Sequence, residues 1–325
     1  MSTVTVNVPR DKYLEVLGFT AYAYFKGYIT SYSGLIGGRR ALGEYIENFV
    51  YGKIAEVAFQ EFLGRHHGMR THTDLDLCDF IIGDYLPDVV LMRDSAGKLV
   101  TMEFWIDVKE VRRNQRWLLI PASSVNSRPY DAYVAVRVGL PDDHLAWIIG
   151  QLNYVQKRMG SNWRQRWTAL DITIRNIPCT VEGYVLWDDV YDVLRAHQGS
   201  AGAKNRLDAK FGRGNWGYFP AGRAPPGTNV KLRRDNIGFE LSSLARASNW
   251  RSFVGYISAN RRLVPRVPLS GDGRKPKMPS ACKNKYGSLP DFRDISFKCL
   301  SMQLQQLAAT HGGSPLCSTS WFSRF

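Results

Sequence analysis

The thirteen residues from Leu99 to Val111, LVTMEFWIDVKEV, can bury one side and not the other. Side chains alternate across an extended strand, so Phe104, Ile106 and Val108 share one face while Glu103, Trp105, Asp107 and Lys109 share the opposite one. A helix would mix the two sets, so the segment constrains the fold more than any other. PDVVLM (87–92) is a second strand-like run, and Asp94-Ser95-Ala96-Gly97-Lys98 between them is a polar turn with a glycine placed for positive φ. The pair reads as a hairpin with one apolar and one polar face.

Upstream, GEYIENFVYGKIAEVAFQEFL (43–63) carries Ile46, Phe49, Val50, Ile54, Val57, Ala58 and Phe62 at helical spacing. Downstream, RWLLIPA (116–122), DAYVAVRVGL (131–140) and AWIIG (146–150) read as further strands. WDDVYDVLRAHQ (187–198) reads as a helix with Val190, Val193 and Leu194 on its apolar face. Strands interspersed with helices predict an α/β fold, a mixed β-sheet core flanked by helices. Seven glycines and three prolines between 199 and 227 predict loops or a linker, as do five prolines between 265 and 290. ISFKCLSMQLQQLAA (295–309) is a short helical candidate. The expected division is a first unit over 1–198 and a second region over 199–325.

Charge is distributed along the same division. Residues 1–200 hold 22 basic and 23 acidic side chains, whereas 201–290 hold 18 basic and 4 acidic. The formal charge of +14 is therefore a property of one ninety-residue block. Phe211, Trp216, Tyr218, Phe219, Phe239, Trp250, Phe253 and Tyr256 lie in it, too many aromatics for a solvated tail. A folded polyanion-binding surface is expected, with nucleic acid as the polyanion. No apolar run reaches the roughly 18 residues of a membrane span. The first residues lack the apolar centre of a signal peptide, and five cysteines without tight spacing point away from a disulfide framework. A cytoplasmic protein is the expectation.

Folding the hairpin brings Asp88 towards Asp107 and Lys109. Two neighbouring carboxylates suit a hard cation such as Mg²⁺, which takes oxygen ligands. Such a cation polarises a phosphoryl oxygen, and a nearby lysine offsets developing negative charge. Here the sequence resembles the PD-(D/E)xK nuclease superfamily, which includes most type II restriction endonucleases. Pro87-Asp88 and Asp107-Val108-Lys109 carry the resemblance, with Glu56 on the preceding helix. It covers roughly residues 43–140. It implies a restriction-endonuclease-like core and Mg²⁺-dependent hydrolysis of double-stranded DNA to 5′-phosphate and 3′-hydroxyl ends. Asp88 and Asp107 would be metal ligands, Lys109 would position the attacking water, and Glu56 would support the metal site.

Alternatives remain open at this level. Regular pairing about the turn sets Asp84 nearly opposite Val108 and Asp88 opposite Phe104, so Asp84 competes for the first ligand position. Glu103 and Glu110 are minor candidates. Asp208-Ala209-Lys210 repeats the Asp-x-Lys triplet but lies in a glycine-rich stretch far from any Pro-Asp pair. His66, His67 and His72 lack the pattern of a histidine-metal nuclease. Cys282, Cys299, His311 and Cys317 have spacings that match no compact zinc knuckle. Arg112, Arg113, Arg233, Arg234, Arg261 and Arg262 are the candidate DNA contacts. Cutting two strands calls for two sites, hence an expected homodimer, and the restriction reading brings a partner methyltransferase in the same system. A junction resolvase, a repair or homing nuclease, and a non-catalytic nucleic-acid-binding protein are the competing functions.

Overall fold

The computed structural model describes residues 3–25, 42–73, 88–94, 96–127, 130–150 and 161–264. Strand β1 (Val4–Pro9) leads into helices α1 (Arg10–Phe25) and α2 (Leu42–His67). Four short strands follow: β2 (Thr71–Thr73), β3 (Val89–Arg93), β4 (Leu99–Thr101) and β5 (Ile106–Val111). Next come β6 (Trp117–Pro121), α3 (Ala122–Ser127), β7 (Ala132–Val138), α4 (His144–Gly150) and α5 (Ser161–Arg175). The long strand β8 (Asn176–Leu186) then runs into α6 (Trp187–His197) and α7 (Ala201–Phe211). The described chain closes with β9 (Trp216–Phe219), β10 (Asn236–Glu240), α8 (Leu241–Ala247) and α9 (Trp250–Ala259).

The principal sheet has the order β1-β8-β7-β5. Its β5–β7 pair is parallel and the other two are antiparallel, so the expected mixed sheet in an α/β arrangement is present. Strand β7 is the centre. Its even-numbered residues Ala132, Val134, Val136 and Val138 join a core with Val50, Ile54, Ala58 and Phe62 of α2. Its odd-numbered Tyr133 and Ala135 join a second core, with Val190 and Val193 of α6 and Leu207 and Phe211 of α7. A strand buried on both faces reads as a continuous apolar run, as AYVAV does. Two small antiparallel sheets complete the described chain, β6-β10-β9 and β2-β3-β4.

Several expectations change. Residues 99–111 do not form one strand. The hairpin exists, with β3 and β4 paired and Leu91 opposite Thr101, but the chain leaves it after Thr101. Side chains take over the backbone groups that a ladder would have used. The Asn260 carboxamide accepts from Glu103 N at 2.6 Å and donates to Thr101 O at 2.9 Å. The Asp131 carboxylate accepts from Trp105 N at 2.7 Å. Strand β5 then resumes in the principal sheet, so Glu103 and Trp105 do not belong to the strand of Asp107.

Residues 146–150 are helical rather than extended, packing Trp147 into the core. The glycine-rich stretch after 199 contains α7 and β9, because its apolar residues Ala203, Leu207 and Phe211 recur at helical spacing between the glycines. Position 198 marks no break in packing. Strand β10 pairs with β6, Asn236 opposite Pro121, and Trp250, Phe253 and Ile257 of α9 lie in the same core as α2. The helical candidate at 295–309 and the four Cys and His positions from 282 to 317 lie outside the described residues. No helix among the described residues is long and apolar enough to cross a membrane.

Candidate active site

Among the described residues, strand β5 is the outer strand of its sheet, with β7 on one side only. An uncovered strand edge carries backbone groups that need partners. Asp88 supplies them: its N–H donates to Ile106 O at 3.1 Å, and its Oδ2 accepts from Val108 N at 2.6 Å. Asp88 therefore meets β5 beside Asp107, beyond the Phe104 position that regular hairpin pairing assigns. The chain achieves this by leaving the hairpin at Met102, which moves β5 along relative to β3. Asp84 and Pro87 lie outside the described residues.

Asp107 and Lys109 project from the same side of β5, and Lys109 Nζ lies 2.7 Å from Asp107 Oδ2. Asp107 is only 7% exposed, whereas the lysine retains more contact with solvent. On α2, Lys53 and Glu56 form an ion pair at 2.8 Å, one turn apart, and both are buried. Lys53 lies near enough to Asp88 to draw its acidity back towards normal. Glu56 thus joins the group through Lys53, and α2 packs directly on β5. The structure brings together Asp88, Asp107 and Lys109, while the fourth residue picked from the sequence, Glu56, is paired with Lys53 on α2.

Electrostatics at this cluster are strained in a chemically informative way. Burial and then the Asp107 carboxylate push the Asp88 acid up to about 7, against opposing pulls from Lys53, Lys109 and the Val108 N–H. A carboxyl raised that far needs positive charge nearby to ionise comfortably at neutral pH. For Lys109, burial disfavours the ammonium, but Asp107, with Asp88 and Glu110 behind it, outweighs burial and holds it above its ordinary value. Burial also raises the acid of Glu110, the next residue on the strand. The site therefore presents a cation, Lys109, beside two carboxylates, of which Asp88 is disfavoured as an anion by burial and by Asp107.

Those two carboxylates fit a hard divalent cation, which would relieve their repulsion and complete its shell with water. Among the described residues no group of three or more His, Cys, Asp or Glu is disposed around one metal position. Mg²⁺ does not require one, since it is commonly held by one or two carboxylates. The histidines are elsewhere: His66 and His67 pack against Phe62, and His72 pairs opposite Leu91 in the small sheet.

The candidate DNA contacts separate into two kinds. Arg112 is committed to the fold, donating to Glu47 at 2.8 Å and Asn48 at 3.0 Å with its guanidinium over Tyr51. Arg262 is committed too, 3.0 Å from the fully buried Asp131 and stacked on Trp105. Arg113, Arg233, Arg234 and Arg261 are exposed. Sequence reasoning missed Lys53 and Asp131. A signal for Lys53 existed: Lys53 and Glu56 interrupt the apolar stripe of α2 that Val50 and Val57 define. Asp131 offered none, because its partners Trp105, Leu263 and Val264 are distant in sequence. No protein-family model matches the chain, and no curated protein or solved structure is significantly similar to it.

Proposed function

We propose that the protein is a Mg²⁺-dependent endonuclease of the type II restriction kind, hydrolysing phosphodiester bonds of double-stranded DNA. One observation carries the reading: the Asp88 carboxylate, held by the Val108 N–H, lies against the Asp107–Lys109 pair on the edge strand. Asp88 and Asp107 would hold the cation, which supplies charge to polarise a phosphoryl oxygen and to lower the pKa of a water. Lys109, kept protonated by Asp107, donates hydrogen bonds to the attacking water or to a non-bridging oxygen as negative charge develops. Attack at phosphorus breaks the bond to the 3′ oxygen, leaving 5′-phosphate and 3′-hydroxyl ends. Lys53, itself paired with Glu56, limits how far the acidity of Asp88 weakens.

A homodimer with one site per strand, a companion methyltransferase and a cytoplasmic setting belong to the same proposal. A junction-cutting or repair nuclease would use the same chemistry on a different DNA. A binding protein without catalysis is the competing reading, favoured by the exposed arginines but leaving the Asp107–Lys109 pair without a purpose.

The test is digestion of unmodified plasmid and phage DNA with Mg²⁺, comparing wild type with Asp107→Asn and Lys109→Ala. Discrete fragments from the wild type and a loss of at least about a hundredfold in each variant are expected. Junction-only cutting reassigns the substrate. Equal cutting by all three proteins, or no cutting with Mg²⁺ or Mn²⁺, overturns the proposal.

A further inference from the structure

A groove of about 300 Å³ opens beside the site. Lys109 and Glu110 of β5 form one wall, Gln115 and Trp117 a second, and Arg234 and Asn236 at the start of β10 a third. It therefore joins the candidate catalytic lysine to the connection between β9 and β10, residues 220–235. That connection is rigidly held. Gly222 N donates to Leu232 O at 2.8 Å and Leu232 N to Arg223 O at 3.0 Å. Asp235 accepts from Ala221 N and the Tyr218 hydroxyl, Trp117 Nε1 donates to Pro226 O at 2.9 Å, and Asn236 Nδ2 donates to Arg234 O at 2.6 Å.

From this base the connection displays Arg223, Lys231, Arg233 and Arg234, all exposed. None of the four has an ion-pair partner among the described residues. Arg10, Lys53, Lys109, Arg112, Arg137 and Arg206, by comparison, are each matched to a carboxylate. Asp235, the carboxylate nearest in sequence, is already occupied by two donors, Ala221 N and the Tyr218 hydroxyl. Unpaired cations on a pre-ordered support gain contacts to phosphate with little loss of side-chain and loop freedom.

We infer that residues 220–235 form a phosphate-gripping arm, and that a DNA backbone runs from Arg233 and Arg234 through the groove to Lys109. The inference rests on the nuclease reading for what happens at Lys109, but the grip itself is independent of cleavage. Arg223 and Lys231, further out on the arm, hold the flanking duplex.

The experiment is fluorescence anisotropy with a labelled DNA duplex of about 30 base pairs and no divalent metal, across a salt series. Wild type, the triple variant Arg223→Ala/Arg233→Ala/Arg234→Ala, and the control Arg164→Ala are compared. Arg164 is an exposed arginine on α5 with no ion-pair partner among the described residues. The triple variant should bind at least about tenfold more weakly, with a log–log salt slope shallower by about 3, close to 0.9 per lost phosphate contact. Arg164→Ala should bind as wild type does. Circular dichroism of the triple variant should be unchanged, since all three side chains lie outside the cores.

A triple variant with wild-type affinity and slope overturns the arm, and so does an equal loss in Arg164→Ala, which would reduce the effect to net charge. Tighter binding of an RNA duplex overturns the assignment to DNA. Binding that depends on the arm in a protein that cuts nothing leaves the arm standing and removes the nuclease reading. Cutting and binding that both survive loss of the arm do the reverse.

Discussion

Replacing Asp88 by Asn removes one charge from a place that tolerates it poorly and keeps the shape. The carboxamide oxygen can still accept from Val108 N, the 2.6 Å bond that ties the residue to β5. What disappears is the cost of ionising a half-buried carboxyl next to Asp107. Moving its pKa from an ordinary 3.8 to about 7 weakens the ionised native state by up to roughly 4 kcal/mol. Asp88 keeps partial access to water, which screens the repulsion, so about 1–2 kcal/mol is the expected gain.

The pH dependence has a definite sign. At pH values below the unfolded pKa of 3.8 the wild-type side chain is neutral in both states and the two proteins are equivalent. As pH rises from there towards 7, the unfolded chain ionises first, and the wild type loses stability that the variant keeps. Urea unfolding followed by tryptophan fluorescence at about pH 4.5 and pH 8.5 should therefore show a variant advantage that is small at the lower pH and full at the higher. Adding roughly 10 mM Mg²⁺ at the higher pH should stabilise the wild type and leave the variant unmoved. A difference between the two proteins that is flat across this range would refute the claim that Asp88 and Asp107 crowd each other.

Removing Lys53 alone, as Lys53→Met, takes from the buried Glu56 carboxylate its lysine and should cost about 3 kcal/mol in the same unfolding assay, with Glu56→Leu added to the variant recovering most of it. His144 is fully buried with its Nδ1 2.8 Å from the Tyr13 hydroxyl, and burial lowers its pKa to about 4. Its contribution is complete above the unfolded pKa of 6.5 and is lost as pH falls towards 4, an acid limb of about 3 kcal/mol that His144→Gln should flatten. Asp88 and His144 thus act in opposite directions over overlapping pH ranges, and the variants separate them.

Much of the candidate site is legible in the amino-acid order. Asp107 and Lys109 sit two apart on a strand whose other face is apolar, and that alternation alone puts them on one side. The hairpin leads to Asp88 as well, but for an incomplete reason. Regular pairing places it opposite Phe104, and only the break at Met102–Trp105 carries it to Val108. That break depends on Asn260 and Asp131, whose side chains replace a strand ladder from 26 and more than 150 residues away. Periodicity cannot report such a contact, because it measures neighbours in sequence.

The larger division follows the same rule. Apolar patterning by itself determined α2, β6, β7 and α6, because each has a face or a run whose burial is dictated locally. The uneven charge likewise placed the basic excess in residues 201–290. Tertiary structure alone decided that the described part of this block packs into the same sheets and cores. Strand β10 completes a sheet begun by β6, and α9 fills the core over α2. Backbone hydrogen bonds and apolar burial have no preference for sequence proximity, so glycine-rich spacing that looks like a linker can still enclose a helix and a strand. The same long-range packing sets Arg234 across a groove from Lys109, a pairing 125 residues apart that neither segment announces.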